Sequence, residues 1–169
     1  MRQIGRLSIV SSLLAGLAVM LACALAPAVV ASEPILALEA LDGSTRKLTL
    51  QDMDALPQIT IRTKTPWHQG EQIFAGPALL ALIRSHKIEG KLLLAEAIND
   101  YHALIPADEL TAEYPILATR RNGKTMSVRD KGPVFIIYPY SSMGRTQARI
   151  LSQSVWQLVR LRATDGTAE

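Results

Sequence analysis

The side chains in this sequence that could do chemistry are few, and they sit beside turns. Asp100 follows Asn99 and precedes Tyr101, and Asp130 lies between Arg129 and Lys131. Carboxylates in turns can point at a ligand instead of into a sheet face. Aromatic residues make up only 5% of the chain, yet Trp67, Tyr101 and Trp156 all fall in or near these stretches. Carboxylates, rings and the flanking cations Arg129 and Lys131 are the groups in this chain able to bind a ligand through ion pairing and stacking. Each has a plainer reading as well. Asn99 and Asp100 suit ordinary turn chemistry. Arg129, Asp130 and Lys131 could form a solvated turn with local ion pairing, and Trp156 lies in a strand, where large aromatics usually pack.

Other chemistries find little support. The chain has no Gly-x-Ser-x-Gly, no His-Glu-x-x-His and no glycine-rich phosphate loop. His68, His86 and His102 are far apart with no metal-ligand spacing, and structural roles are expected for them. Ser141 and Ser142 follow Tyr140, with no histidine placed by sequence to activate either. The one cysteine, Cys23, lies near the N-terminus.

That N-terminus reads as a secretory signal peptide. Arg2 and Arg6 precede an uncharged apolar stretch from Leu7 to about Ala26, and Val29 and Ala31 present small residues before Ser32-Glu33-Pro34. Cleavage is expected after Ala31, leaving residues 32–169 as one exported, periplasmic domain without a thiol and therefore without a disulfide partner. An uncleaved membrane anchor and lipidation at Cys23 are the alternatives. Loss of Arg2 and Arg6 leaves the remaining Lys and Arg almost balanced against 15 Asp and Glu, which gives no bulk attraction to nucleic acid.

The elements that must position the candidate residues are short. Ile35–Leu41 and Arg46–Leu50 read as a hairpin around Asp42-Gly43. Thr49 is placed to cap a helical turn over Gln51–Leu56, and Gln58–Thr65 alternates as a half-buried strand. After a strand at Gln72–Ala75, Gly76-Pro77 opens a helix through Leu79, Leu80, Leu82 and Ile83, with Pro77 in its first turn and His86 at its end. Lys91–Ile98 and Tyr101–Ile105 form paired strands around Asn99-Asp100, with a short helix from Pro106 to about Ala112. Asn122-Gly123 marks a hairpin between Ile116–Arg120 and Thr125–Val128. Val134–Tyr138 is an apolar strand. Val155–Arg162 closes the domain, with Val155, Gln157, Val159 and Leu161 on one side and Trp156 and Leu158 on the other. Eight or nine strands and two helices, without repeats or βα alternation, make the fold class α+β, mainly β.

Several stretches, in order, carry a family resemblance: Thr65-Pro66-Trp67, Phe74-x-Gly76-Pro77, Asn99-Asp100-Tyr101, Asn122-Gly123-Lys124, Met126 to Pro133, Tyr138-Pro139-Tyr140 and Trp156. From about Leu48 to Arg162 the chain resembles the oxidoreductase molybdopterin-binding domain of sulfite oxidases, and in particular its small, stand-alone exported members. The resemblance implies a sulfite-oxidase-type molybdopterin-binding fold. It departs at one point. The enzymes of the family bind molybdenum through a cysteine thiolate, and residues 32–169 contain no cysteine. No nearby residue type replaces that soft, anionic ligand well. Thiolate-ligated molybdenum, and with it redox catalysis, is therefore not expected.

What the resemblance leaves in front is a binder of a pterin or molybdopterin-like ligand. Some small exported relatives look like pterin-binding partners of membrane sensors that control cyclic-di-GMP, which makes a membrane-bound sensor the implied partner. A pterin has a guanidine-like donor edge that a carboxylate can meet bidentately. Asp100 and Asp130 are the candidates for that edge, Asn99 for the amide edge, and Trp67, Tyr101 and Trp156 for the ring faces. Arg129 and Lys131 would meet a carbonyl or phosphate. A molybdopterin-dependent oxidoreductase or its subunit, and a ligand-free interaction domain, are the competing readings.

Overall fold

The computed structural model describes residues 32–143 and 147–166. The expected signal peptide, its cleavage point and Cys23 lie outside them. Among the described residues, no helix is long and apolar enough to cross a membrane.

Strand β1 (Pro34–Glu39) turns Leu36 and Leu38 into the core and pairs antiparallel with β2 (Thr45–Thr49), which adds Leu48. Their connection is tight because Gly43 takes φ 79°, a value that a side chain would resist, and because Ser44 N–H donates to Asp42 Oδ1 at 2.9 Å. Thr49 then caps α1 (Leu50–Asp54). Asp52 N–H donates to Thr49 Oγ1 at 3.2 Å, and Asp52 Oδ2 accepts from Thr49 N–H at 2.7 Å, a reciprocal capping box. The short helix buries Met53 completely.

Strands β3 (Gln58–Lys64) and β4 (Glu71–Pro77) form a regular antiparallel pair from Gln58↔Pro77 to Lys64↔Glu71. Pro77 thus ends a strand instead of opening the next helix. The helix α2 (Leu79–Ser85) starts two residues later behind an extended Ala78, buries Leu79, Leu82 and Ile83, and ends at His86. Strands β5 (Leu92–Ala97) and β6 (His102–Pro106) pair around the Asn99-Asp100 turn as expected. The helix anticipated over Pro106–Ala112 is only a 3-10 turn at Ala107–Glu109, because Leu110 returns to extended backbone and is buried.

Strands β7 (Ile116–Ala118) and β8 (Arg120–Arg121) run together along β4, with Thr119 N–H donating to the Ala75 carbonyl between them. A Cβ built on Gly76 would lie 2.0 Å from the Leu117 carbonyl oxygen, so only glycine permits this approach. Asn122 and Gly123, both at positive φ, turn β8 into β9 (Lys124–Thr125). A 3-10 turn at Val128–Asp130 follows. Strand β10 (Phe135–Ile137) pairs with β7, and a 3-10 turn at Tyr140–Ser142 and helix α3 (Gln147–Ser152) precede β11 (Leu158–Thr164).

The sheets are β2-β1-β11-β5-β6, β3-β4-β8-β9 and β10-β7. Strand β11 lies parallel to β1 and antiparallel to β5, so the last strand closes on the first. Ile136 N–H donates to the Val155 carbonyl and Leu158 N–H to the Val134 carbonyl, which stitches β10 to the approach of β11. The alternation expected through Val155–Arg162 fails here. Gln157 is left-handed (φ 52°) and the register shifts between Leu158 and Arg160, so Leu158 and Leu161 both face the core. The fold is α+β and mainly β, around a core that includes Phe74, Phe135, Leu36, Leu38, Ile116 and Ile136.

Candidate functional site

The loop that joins β3 to β4 carries Thr65, Trp67 and His68 and turns back through Gly70 at φ 73°. Trp67 leans over the core with its ring 5.4 Å from Phe135 and 6.1 Å from Tyr140, tilted or edge-on in each case. Trp156, in the short connection between α3 and β11, meets Trp67 edge-on at 5.4 Å and Phe135 at 6.2 Å. Tyr101, at the foot of β6, lies parallel to Trp156 within 2°, centroids 6.4 Å apart, and its hydroxyl donates to the Ser152 carbonyl at 2.7 Å. Three distant parts of the chain thus bring the three candidate aromatics to one place. Trp67 and Trp156 are half-buried and Tyr101 is exposed.

Lys131 joins them. It follows the Val128–Asp130 turn in left-handed backbone (φ 71°), and its Nζ lies 4.1 Å from the centre of the Trp156 ring, a cation–π contact. Asp130 is held from two sides: Ser127 Oγ donates to Oδ2 at 2.7 Å, and Arg121 Nη2 is 3.6 Å from Oδ1. The carboxylate is still 53% exposed, which leaves it open to a further donor. Gly132 closes the segment against Met126, whose carbonyl oxygen would be 2.2 Å from any Cβ placed there.

The other candidates stand elsewhere. Asn99 Oδ1 accepts from Tyr101 N–H at 3.4 Å, and Asp100 takes φ 63° and donates its N–H to the Ala97 carbonyl, which is turn chemistry. The Asp100 side chain lines an open hollow of about 560 Å³ with Glu96, His102 and Arg160. Arg129 is exposed on its 3-10 turn.

Two further residues belong with the aromatic group: His68, for which the sequence implies only a structural role, and Arg121, which it does not single out. His68 stacks edge-on against Phe74 at 5.7 Å, and its Nδ1 shares a 2.8 Å hydrogen bond with Thr65 Oγ1. Burial holds its pKa below the ordinary histidine value; Arg121 and Lys131 push it the same way and Asp130 opposes them. The ring is therefore neutral at pH 7, with Nε2 left to bond. Arg121 projects from β8, paired with Phe74 across the sheet. The signal for His68 was its place next to Trp67. Arg121 had none, since an arginine in a hairpin arm reads as solvated surface.

The arrangement offers ring faces, an open carboxylate, two cations and a neutral imidazole, which suits a flat heterocycle with donor and acceptor edges. It does not suit thiolate ligation, because residues 32–169 hold no cysteine. Among the described residues no three His, Cys, Asp or Glu side chains are grouped to hold a metal ion. Ser141 is occupied structurally: its Oγ accepts from Lys64 N–H and lies 3.2 Å from Oγ1 of the buried Thr63.

No protein-family model and no curated protein sequence matches the chain. Among solved structures, the sulfane dehydrogenase SoxCD from Paracoccus pantotrophus matches with a TM-score of 0.57 and 17% sequence identity, over 78% of this chain and 38% of that one. At this identity the likeness shows the fold alone, and it agrees with the sulfite-oxidase-type molybdopterin-binding fold. The chain spans well under half the length of that neighbour.

Proposed function

We propose that this chain is an exported pterin-binding protein on a sulfite-oxidase-type fold, one that works without thiolate-ligated molybdenum and signals its occupancy to a membrane sensor. The observation that carries the reading is the convergence of Trp67, Tyr101 and Trp156 beside Lys131 and the exposed carboxylate of Asp130. Asp130 would take the guanidine-like edge of the pterin, the tryptophans its faces, and Arg121, Lys131 and the neutral His68 its carbonyl and substituent. Occupancy would shift the population of the form that a sensor recognises. The fold likeness permits the pterin; the sensor, a cyclic-di-GMP signalling protein on the family resemblance, rests on that resemblance alone.

The test is mass spectrometry and metal analysis of the protein purified from its native periplasm. A fluorescent pterin near one per chain without molybdenum supports the proposal. Molybdenum near one per chain replaces it with an oxidoreductase or its subunit, and neither ligand leaves an interaction domain.

A further inference from the structure

The ring that a flat ligand would stack on is already in use. Lys131 Nζ sits 4.1 Å from the centre of Trp156, while Trp67 and Phe135 meet the same ring edge-on. A ligand that stacks on the covered face must first move the ammonium. The four-carbon stem allows this at small cost, since a cation–π contact at a half-exposed site is weak.

The displaced charge cannot go far. The Lys131 carbonyl accepts from Gln157 N–H at 3.0 Å, which fixes the root of the side chain beside Trp156. The neighbouring Asp130 is already held by Ser127 and Arg121, its exposed edge is the one that would take the ligand's donors, and among the described residues Lys131 pairs with no acid. Held within reach of the ligand, the displaced ammonium would find a charge-assisted partner in a negative group on it.

We infer that Lys131 selects among flat ligands: it masks Trp156 when the site is empty and, once displaced, pairs with an anionic substituent, so the site prefers an aromatic heterocycle that carries a carboxylate or phosphate. This rests on the pterin-binding reading and adds to it the class of ligand. A neutral pterin loses the cation–π contact and offers Lys131 only a carbonyl oxygen in return. An anionic one exchanges that contact for a charge-assisted hydrogen bond, which is stronger.

The experiment compares 6-carboxypterin with unsubstituted pterin, by pterin fluorescence, on the ligand-stripped protein and on Lys131→Ala and Lys131→Arg. Wild type should bind 6-carboxypterin at least tenfold more tightly, with the preference shrinking as salt is added. Lys131→Ala should abolish the preference, mainly by weakening the carboxylated ligand, and Lys131→Arg should keep it. If Lys131→Ala does not fold by circular dichroism, Lys131→Met, which keeps the stem, takes its place. Equal binding of both pterins by wild type, or a preference that survives loss of the charge, overturns the selector role and leaves pterin binding standing. Binding of neither pterin overturns both. A pterin phosphate that binds tenfold more tightly than 6-carboxypterin would identify the anion as phosphate, with the role of Lys131 upheld.

Discussion

Gln157 N–H donates to the Lys131 carbonyl at 3.0 Å, and this one bond joins the two segments that carry the candidate site. The same residue does more. Its Nε2 donates to the Val128 carbonyl at 2.7 Å and its own carbonyl accepts from Ile98 N–H, so the Val128–Asp130 turn, the β5–β6 turn and Trp156 are all referred to one left-handed residue. A non-glycine residue at φ 52° is held there by its surroundings.

Gln157→Ala should therefore lose about 1 kcal/mol, the worth of one side-chain hydrogen bond, and should loosen Lys131 over Trp156. Gln157→Gly removes the same bond but relieves the backbone, by about 1 kcal/mol on the cost of left-handed conformation, and should be the more stable of the two. Thermal unfolding of both variants checks this. An alanine variant as stable as the glycine one would mean that the positive φ carries no strain.

Gly76→Ala tests the packing that sets the site against the core. The new methyl would meet the Leu117 carbonyl at 2.0 Å, and that oxygen belongs to backbone in a buried strand, not to a side chain that can turn away. Overpacking of this kind costs about 1–3 kcal/mol, and separation of β4 from β7 would add to it. Urea unfolding should show the loss at unchanged slope; a shift below about 0.5 kcal/mol would show that β4 and β7 part easily.

The local features of the fold were the legible ones. Gly43, the Thr49 cap and Asn122-Gly123 announce their turns because the chemistry lies within four residues. What was not legible depends on distant partners. The parallel pairing of β1 with β11 joins Leu38 to Leu161, and no local pattern records it. Helix α3 is too short for its Ile150 and Leu151 to establish a period. The alternation read through Val155–Arg162 broke at Gln157, whose left-handed turn is imposed by its bonds to Lys131, Val128 and Ile98. Of the candidate site, Trp67, Tyr101, Asp130, Lys131 and Trp156 converge, while Asn99, Asp100 and Arg129 face other surroundings. His68 was read as structural because a lone histidine carries no spacing signal; only the folded loop sets it beside Arg121 and Lys131.

The Arg120–Asp54 pair ties β8 to the end of α1. It is bidentate, with Nη1 2.5 Å from Oδ1 and Nη2 2.7 Å from Oδ2, and each side chain is about one-third exposed. The pair holds the Asp54 carboxyl below its ordinary pKa. Solvent screening limits its worth to about 1 kcal/mol. Asp54→Asn should cost about that much at pH 7 and should lose less at pH 3, where the wild-type carboxylate begins to protonate. An equal difference at both pH values would show that the charge contributes nothing.

The histidines should make the protein acid-sensitive in a defined window. Burial lowers the pKa of His68, aided by Arg121 and Lys131, and burial lowers that of His86, aided by Arg46 and opposed by Asp52. A folded pKa below the unfolded value of 6.5 means that, as pH falls through that value, the unfolded chain binds protons first. Stability then falls with falling pH. The contribution is fully present above 6.5, declines below it, and stops changing once the folded histidines are protonated too. Asp52 and Asp54, whose pKa values lie below 3.8, do not titrate in this window and cannot produce the effect. The melting temperature should therefore hold from about pH 8 to pH 6.5 and drop toward about pH 5. Replacing His68 and His86 together by glutamine should flatten the drop. If the double variant falls as steeply as wild type, other groups drive the transition; if wild type gains stability on acidification, these histidines are better protonated in the fold than out of it.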